Sequence, residues 1–183
     1  MSAEESKPVT TTAPGGDLAA DAVHQAALAA GYEFSAGGVV VHEGKVAVIV
    51  PTRRSGSGAS VLGLPKGHPE QGESAWEGAA REVLEEAGLS GDPLGSLGYV
   101  EYAYERGGRS RKKRVEFFLI AYREGSLEDH DHEVSEAYWL PLDEAVQRLS
   151  YAGEREMVRR ARKRLAPTAS SGERHDAPRR PVD

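Results

Sequence analysis

Residues 67–89 read Gly67-His68-Pro69-Glu70-Gln71-Gly72-Glu73-Ser74-Ala75-Trp76-Glu77-Gly78-Ala79-Ala80-Arg81-Glu82-Val83-Leu84-Glu85-Glu86-Ala87-Gly88-Leu89. The second half of this stretch carries the marks of a helix over 74–87. Ser74 and Glu77 have the spacing of a capping box, and Gly88 supplies a C-terminal stop. On such a helix Glu82, Glu85 and Glu86 stand at i, i+3 and i+4, so their carboxylates converge on one face. Like charges at that spacing repel and destabilise an isolated helix, and a bound divalent cation is the natural counterweight. Hard cations such as Mg²⁺ take carboxylate oxygens and share their sites with phosphates. Val83, Leu84, Ala87 and Leu89 are expected to face the core and fix the helix. For three glutamates taken alone, a solvated acidic face is the plainer reading; the residues upstream change the balance.

Outward from this helix the pattern is mixed. Phe34–Val41 and Lys45–Val50 are β-branched runs joined by His42-Glu43-Gly44, a hairpin signal. Gly37 and Gly38 inside the first run point to a close backbone approach. Tyr99–Tyr104 and Arg114–Tyr122 read as strands joined by a basic, glycine-containing turn over 105–113. A short strand over 137–140 precedes helices over 142–149 and 154–165, the second with Met157, Val158, Ala161 and Leu165 on one face. Strands, a helix, more strands and terminal helices predict an α/β sandwich with a mixed sheet. The expected organisation is an N-terminal extension over 1–33, disordered or weakly helical around 17–30, a domain over 34–166, and a disordered tail over 167–183.

The bulk numbers fit this plan. The chain has 183 residues with 39% hydrophobic and 28% charged, the composition of a soluble globular domain. No apolar run approaches the roughly 20 residues that span a bilayer, and no secretory leader is evident, so the expected location is the cytoplasm. Cysteine is absent, which leaves oxygen and imidazole as the metal donors. The net charge of −6 argues against a general nucleic-acid binder. Residues 1–33 hold −4 of it and 167–183 are balanced, leaving −2 over 34–166.

Gly67, Glu73, Arg81 and the acidic run together complete the pattern GX5EX7REUXEEXGU, where U is aliphatic. Its fixed letters and two aliphatic positions arise by chance in only about 10⁻⁷ of chains this size. In this the sequence resembles the Nudix hydrolase family, over residues 34–166. The resemblance implies a Nudix-type α/β/α sandwich that hydrolyses a nucleoside diphosphate linked to another moiety, using Mg²⁺, with Mn²⁺ as a possible substitute. It implies Glu82, Glu85 and Glu86 as metal ligands, Glu85 and Glu86 among the catalytic groups. Glu73 and Arg81 are implied as the ion pair orienting loop and helix, and Gly67 as a close backbone contact to metal or phosphates. Similar family members place a distal catalytic glutamate in a loop entering a strand, where Glu133 is the candidate base or further ligand and Glu136 the nearby competitor. His130 and His132 read as solvated loop residues.

Leu64-Pro65-Lys66-Gly67-His68 resembles the diadenosine and diphosphoinositol polyphosphate hydrolases, and an antimutator branch acting on 8-oxo-nucleoside triphosphates has a similar segment. A densely anionic substrate makes Lys66 a phosphate contact. The basic stretch Arg106, Arg109, Arg111, Lys112, Lys113 and Arg114 supports the same substrate, with Lys113 and Arg114 closest to the site. Arg53 and Arg54 are of similar status, and Tyr102, Tyr104 and Tyr151 are available to stack on a base. The leading expectation is a dinucleoside polyphosphate substrate. Behind it stand 8-oxo-(d)GTP or related triphosphates, then removal of pyrophosphate from RNA 5′ ends, then a non-hydrolytic nucleotide sensor. The expected partner is a small nucleotide rather than a membrane or nucleic acid; monomer and homodimer both stay open.

Overall fold

Two alternating rows of apolar side chains dictate how the sheet is sandwiched. In strand β1 (Glu33–His42), Phe34, Ala36 and Val40 project to one face and Val39 to the other. In β5 (Arg109–Gly125), Phe118 and Ile120 join the first face while Val115, Phe117 and Leu119 join the second. Successive strand side chains alternate in this way, and each apolar face must be covered. Helices α1 (Asp17–Ala29) and α2 (Ala75–Ala87) cover the first through Ala27, Ala75, Ala79, Val83 and Ala87. Helices α3 (Leu142–Arg148) and α4 (Ala152–Leu165) cover the second through residues such as Leu142, Val146, Met157 and Val158. This computed structural model describes residues 17–52 and 58–167, with side chains from Ala22 onward. Arg53, Arg54 and most of the expected tails lie outside the described residues. Among those residues no helix is long and apolar enough to cross a membrane.

The remaining strands are β2 (Lys45–Pro51), β3 (Lys66–Gly67), β4 (Leu89–Arg106) and β6 (Val134–Pro141). The sheet runs β4-β5-β1-β2-β6, with β1 and β5 parallel and the other pairs antiparallel. The expected α/β/α sandwich with a mixed sheet is therefore present. β1 and β2 pair only beside their hairpin, at Val41↔Val46 and His42↔Lys45. Beyond it residues 63–67 enter between them. Ile49 and Gly63 exchange two backbone hydrogen bonds of 2.9 Å, Gly38 N–H donates to Pro65 O at 3.1 Å, and β3 pairs with Ala36 and Gly37. The paired glycines permit this on both faces. A Cβ on Gly37 would stand 2.5 Å from Pro65 O, and one on Gly38 2.5 Å from Val83 Cγ2 on α2.

Three local expectations are corrected. The basic turn is shorter than the sequence suggests, because the β4–β5 ladder continues to Arg106↔Arg109. Gly107 and Gly108 alone make the turn, both at positive φ, the backbone that suits the twist of a hairpin. The earlier half of β4 is interrupted by register shifts at Ser90/Gly91, Pro93/Gly95 and Ser96/Gly98, so its glycines and proline hide a strand. Leu84 is 54% exposed rather than buried. The buried stripe of α2 is Ala75, Ala79, Val83 and Ala87, spaced by four, and Leu84 falls one residue off it. Helix α1 is formed and docked. Ala27 is fully buried, and His24 stacks on Phe34 with ring centroids 4.2 Å apart.

Filling the contact between α2 and β1 tests this account. Gly38→Ala places a methyl against Val83 and Ile120, and is expected to cost about 1–3 kcal/mol through overpacking. Urea unfolding would reveal it as a lower midpoint at unchanged slope.

Candidate active site

Helix α2 begins as its sequence dictates. Glu77 N–H donates to the Ser74 hydroxyl, the Glu77 carboxylate accepts from Ser74 N–H, and Gly88 closes the other end in a left-handed conformation. Arg81, in its middle, has every guanidinium donor engaged. Nε donates to Glu73 Oε1 at 2.9 Å and Nη2 to Glu73 Oε2 at 3.1 Å, a fork-on-fork pair. Nη2 also donates to His68 O at 2.8 Å, while Nη1 serves Glu82 at 2.9 Å and Glu85 at 3.0 Å. Arginine has five N–H donors and no more. The Glu73–Arg81 pair thus ties the loop after Gly67 to the helix, and the Arg81 guanidinium holds the Glu73 carboxyl below its ordinary value.

Glu82 and Glu86 line the side of α2 that meets β3. A Cβ on Gly67 would lie 2.1 Å from Glu82 Oε1, so only glycine lets the backbone pass this carboxylate. Lys66 N–H donates to Glu86 Oε2 at 2.8 Å. Burial pushes the Glu86 carboxyl up to about 7; the Lys66 N–H and ammonium oppose the shift, and Glu82 and Asp131 add to it. Glu82 is raised too, by burial first, with Arg81 opposing and Glu85 and Glu133 reinforcing. Glu85 is nearly half exposed. Among the described residues no three His, Asp or Glu side chains are drawn together into a finished cation shell; Arg81 and Lys66 N–H hold these carboxylates individually. The donor chemistry nevertheless suits a hard cation. These are carboxylate oxygens, two of the groups destabilised as anions by burial and by neighbouring acids.

The loop before β6 brings a further carboxylate here. Glu133 acts electrostatically on Glu82, whereas Glu136 pairs across from Val50, on the alternation of Tyr138 and Leu140 that faces away from α2. Asp131, which the sequence reading passed over, is the tether. Its N–H donates to Glu85 O at 2.8 Å and its Oδ1 accepts from Glu133 N–H at 2.9 Å. Thr52 secures the same loop, its N–H to Glu133 O at 2.7 Å and its hydroxyl to His132 O at 3.0 Å. His130 Nδ1 is engaged by the backbone O of Asp131 at 2.9 Å.

The basic residues separate by strand face. Lys113 follows the alternation of Val115 and Phe117, while Arg114 follows that of Phe118. Lys113 is brought to the site. Burial and the nearby Lys66 lower its pKa, with Glu33 and Glu82 opposing, and among the described residues it forms no ion pair. Arg114 is not brought there. It pairs with Glu101, reaches Val23 O, and lies over the rings of Tyr32 at 4.9 Å and Tyr99 at 4.3 Å. It therefore docks the start of β1 and α1, where the sequence suggested a substrate contact. The Lys66 ammonium is likewise committed, 2.9 Å from Glu154 Oε1. Burial works against its charge, yet Glu154 and Glu86 hold its pKa above the ordinary lysine value. Tyr102 lies within electrostatic reach of Lys66, Glu154 and Tyr151, its hydroxyl pushed up to about 12 chiefly by burial. Tyr151 is 49% exposed at the start of α4. Glu154 was missed from sequence. Its signal was a glutamate on the same helical face as Met157, Val158 and Ala161.

A family profile described as NUDIX domain matches residues 32–161. A Mycobacterium tuberculosis (strain CDC 1551 / Oshkosh) protein designated MutT4, a mutator protein by name, is 37% identical over 147 residues, covering 77% of this chain and 59% of that protein. The 8-oxo-(d)GTP phosphatase of Mycolicibacterium smegmatis (strain ATCC 700084 / mc(2)155) is 37% identical over 105 residues, 57% of this chain and 31% of that protein. The chain thus spans less than two thirds of the length of either relative. Among solved structures, a NUDIX hydrolase from Nitrosomonas europaea superposes with a TM-score of 0.60 at 21% identity, over 72% of this chain and 89% of that one.

Glu73 gives the arrangement a measurable acid limit. Its carboxyl lies below the ordinary 4.5 in the folded chain, so unfolding takes up a proton between the two values. The stability that Glu73 contributes is complete above about pH 4.5 and falls as pH drops through the folded value. Glu73→Gln is expected to be less stable than the parent at neutral pH, with the difference shrinking below that point. Chemical denaturation of both proteins across pH 3–7 checks this; a pH-independent gap would contradict it.

Proposed function

The chain belongs to the Nudix family, and from that premise we propose that it is a divalent-metal-dependent hydrolase cleaving a diphosphate linkage in a nucleoside polyphosphate. The observation that carries this is the bare Cα of Gly67 against Glu82, beside the half-buried Glu86 that accepts from Lys66 N–H. Glu82, Glu85 and Glu86 would hold the ion, with Glu133 as the distal carboxylate. Magnesium bound there supplies charge neutralisation and Lewis acidity toward the phosphate oxygens.

The chain's own groups do the rest. Arg81 and Glu73 hold the loop and α2 at fixed separation, so the carboxylates keep their spacing without reorganising. Lys113, half-buried and lacking an ion-pair partner among the described residues, lies within electrostatic reach of Lys66 and is suited to a phosphate. A polyanion between the two ammonium groups relieves their repulsion. Glu133, on its tethered loop and within electrostatic reach of Glu82, would accept the proton from an attacking water.

For the attached group, the name of the Mycolicibacterium smegmatis relative favours a nucleoside triphosphate of the 8-oxo-(d)GTP kind. The Leu64–His68 segment keeps a dinucleoside polyphosphate as the second reading. Tyr151, exposed beside Tyr102, is the candidate for stacking on a base.

A product-resolved screen of 8-oxo-dGTP, ordinary dNTPs and diadenosine polyphosphates with Mg²⁺ identifies the substrate and the phosphorus attacked. Glu85→Gln and Glu86→Gln are expected to lower kcat by at least about 100-fold; full activity in either would refute the metal assignment. Lys113→Gln is expected to act mainly on KM, raising it about tenfold through one lost charge-assisted contact.

A further inference from the structure

Glu154 is 3% exposed and shares the apolar face of α4 with Met157, Val158 and Ala161. A carboxylate in such a place is costly unless its oxygens are answered. Glu154 Oε2 accepts from Leu64 N–H at 3.0 Å, and Oε1 lies 2.9 Å from the Lys66 ammonium. Two residues along the same strand segment, Lys66 N–H donates to Glu86 at 2.8 Å. Lys66 is thus held between carboxylates from helices on opposite faces of the sheet, its side chain by α4 and its backbone by α2. Its ammonium sits on a flexible four-carbon stem. After Glu154, Glu86 is the next carboxylate within electrostatic reach.

We propose that Glu154 is a positioning residue: it draws the Lys66 ammonium to the α4 side of the sheet and keeps it off the α2 carboxylates, leaving them to a divalent cation. This rests on the reading of α2 as a metal site. An unrestrained ammonium is the obvious intramolecular competitor, since it carries charge of the same sign as the metal and is permanently tethered beside Glu86. Glu154 removes that competitor by pairing with it. The separation is sharpened by Gly63, where a Cβ would meet Glu154 Oε2 at 3.2 Å, so the strand runs close enough for Glu154 to hold both its backbone and its lysine. A role confined to packing would need only the Leu64 acceptor, which glutamine also provides.

The test is Mn²⁺ affinity of the full chain without substrate, measured by electron paramagnetic resonance on the parent, Glu154→Gln and Glu154→Gln/Lys66→Gln. The single variant frees the ammonium and is expected to bind Mn²⁺ about tenfold more weakly, the order given by one unit charge several ångströms away in a partly screened site. Removing the ammonium as well is expected to restore affinity to within about twofold of the parent. Equal affinity in Glu154→Gln and the parent overturns the proposal, as does a double variant as weak as the single. If circular dichroism shows Glu154→Gln unfolded, Glu154→Asp, one methylene too short to hold the ammonium, takes its place on the same tenfold criterion, with Glu154→Asp/Lys66→Gln as its restoring partner. A parent without Mn²⁺ affinity overturns the metal reading, and this proposal with it.

Discussion

β1 and β2 leave their shared hairpin and diverge, and the site depends on what fills the gap. Backbone hydrogen-bonding groups cannot be left unmet inside a sheet. Residues 63–67 meet them, bonding to Ile49 on one side and Gly38 on the other. The inserted strand delivers Lys66 N–H to Glu86 and the bare Cα of Gly67 to Glu82. Gly37 and Gly38 matter because they admit this strand and α2 at the same level of β1. Were either face wider, the carboxylates of α2 would lose their fixed distance from the loop.

Charge is partitioned about that inserted strand. On the α2 side, Arg81 spends all five donors on Glu73, Glu82, Glu85 and a carbonyl, so it organises anions without leaving a free donor. On the α4 side, the Lys66 ammonium meets Glu154, and Lys113 stands across from Tyr102 on the neighbouring strand. Acidic groups suited to a cation and basic groups suited to an anion therefore stand on either side of one short strand. The separation matters because mixed together they would neutralise one another.

Helix α2 was legible because every signal in it is local: Ser74 and Glu77 cap it, Gly88 ends it, and Glu82, Glu85 and Glu86 fall three and four apart. The choice of buried stripe was less so. Leu84 is more apolar than Ala79, yet the close approach of α2 to Gly38 selects the small residues. Lys113 and Arg114 show a second limit. Alternation says that neighbours on a strand part company, but which face holds the site depends on a parallel partner, β1, some 80 residues earlier. Glu154 shows a third. Its place on an apolar helical face was readable, whereas its partners Leu64 and Lys66 lie in and just before a strand of two residues, Lys66–Gly67, too short to announce itself.

The interrupted ladder of β4 has a bearing on how molecules of this protein behave toward one another. β4 is an edge of the sheet, and an edge strand offers unpaired N–H and C=O groups to any second sheet it meets. Its three register shifts, with Pro93 between them, twist and break that row of groups. A long strand that would otherwise template edge-to-edge aggregation is thereby made a poor partner for a copy of itself.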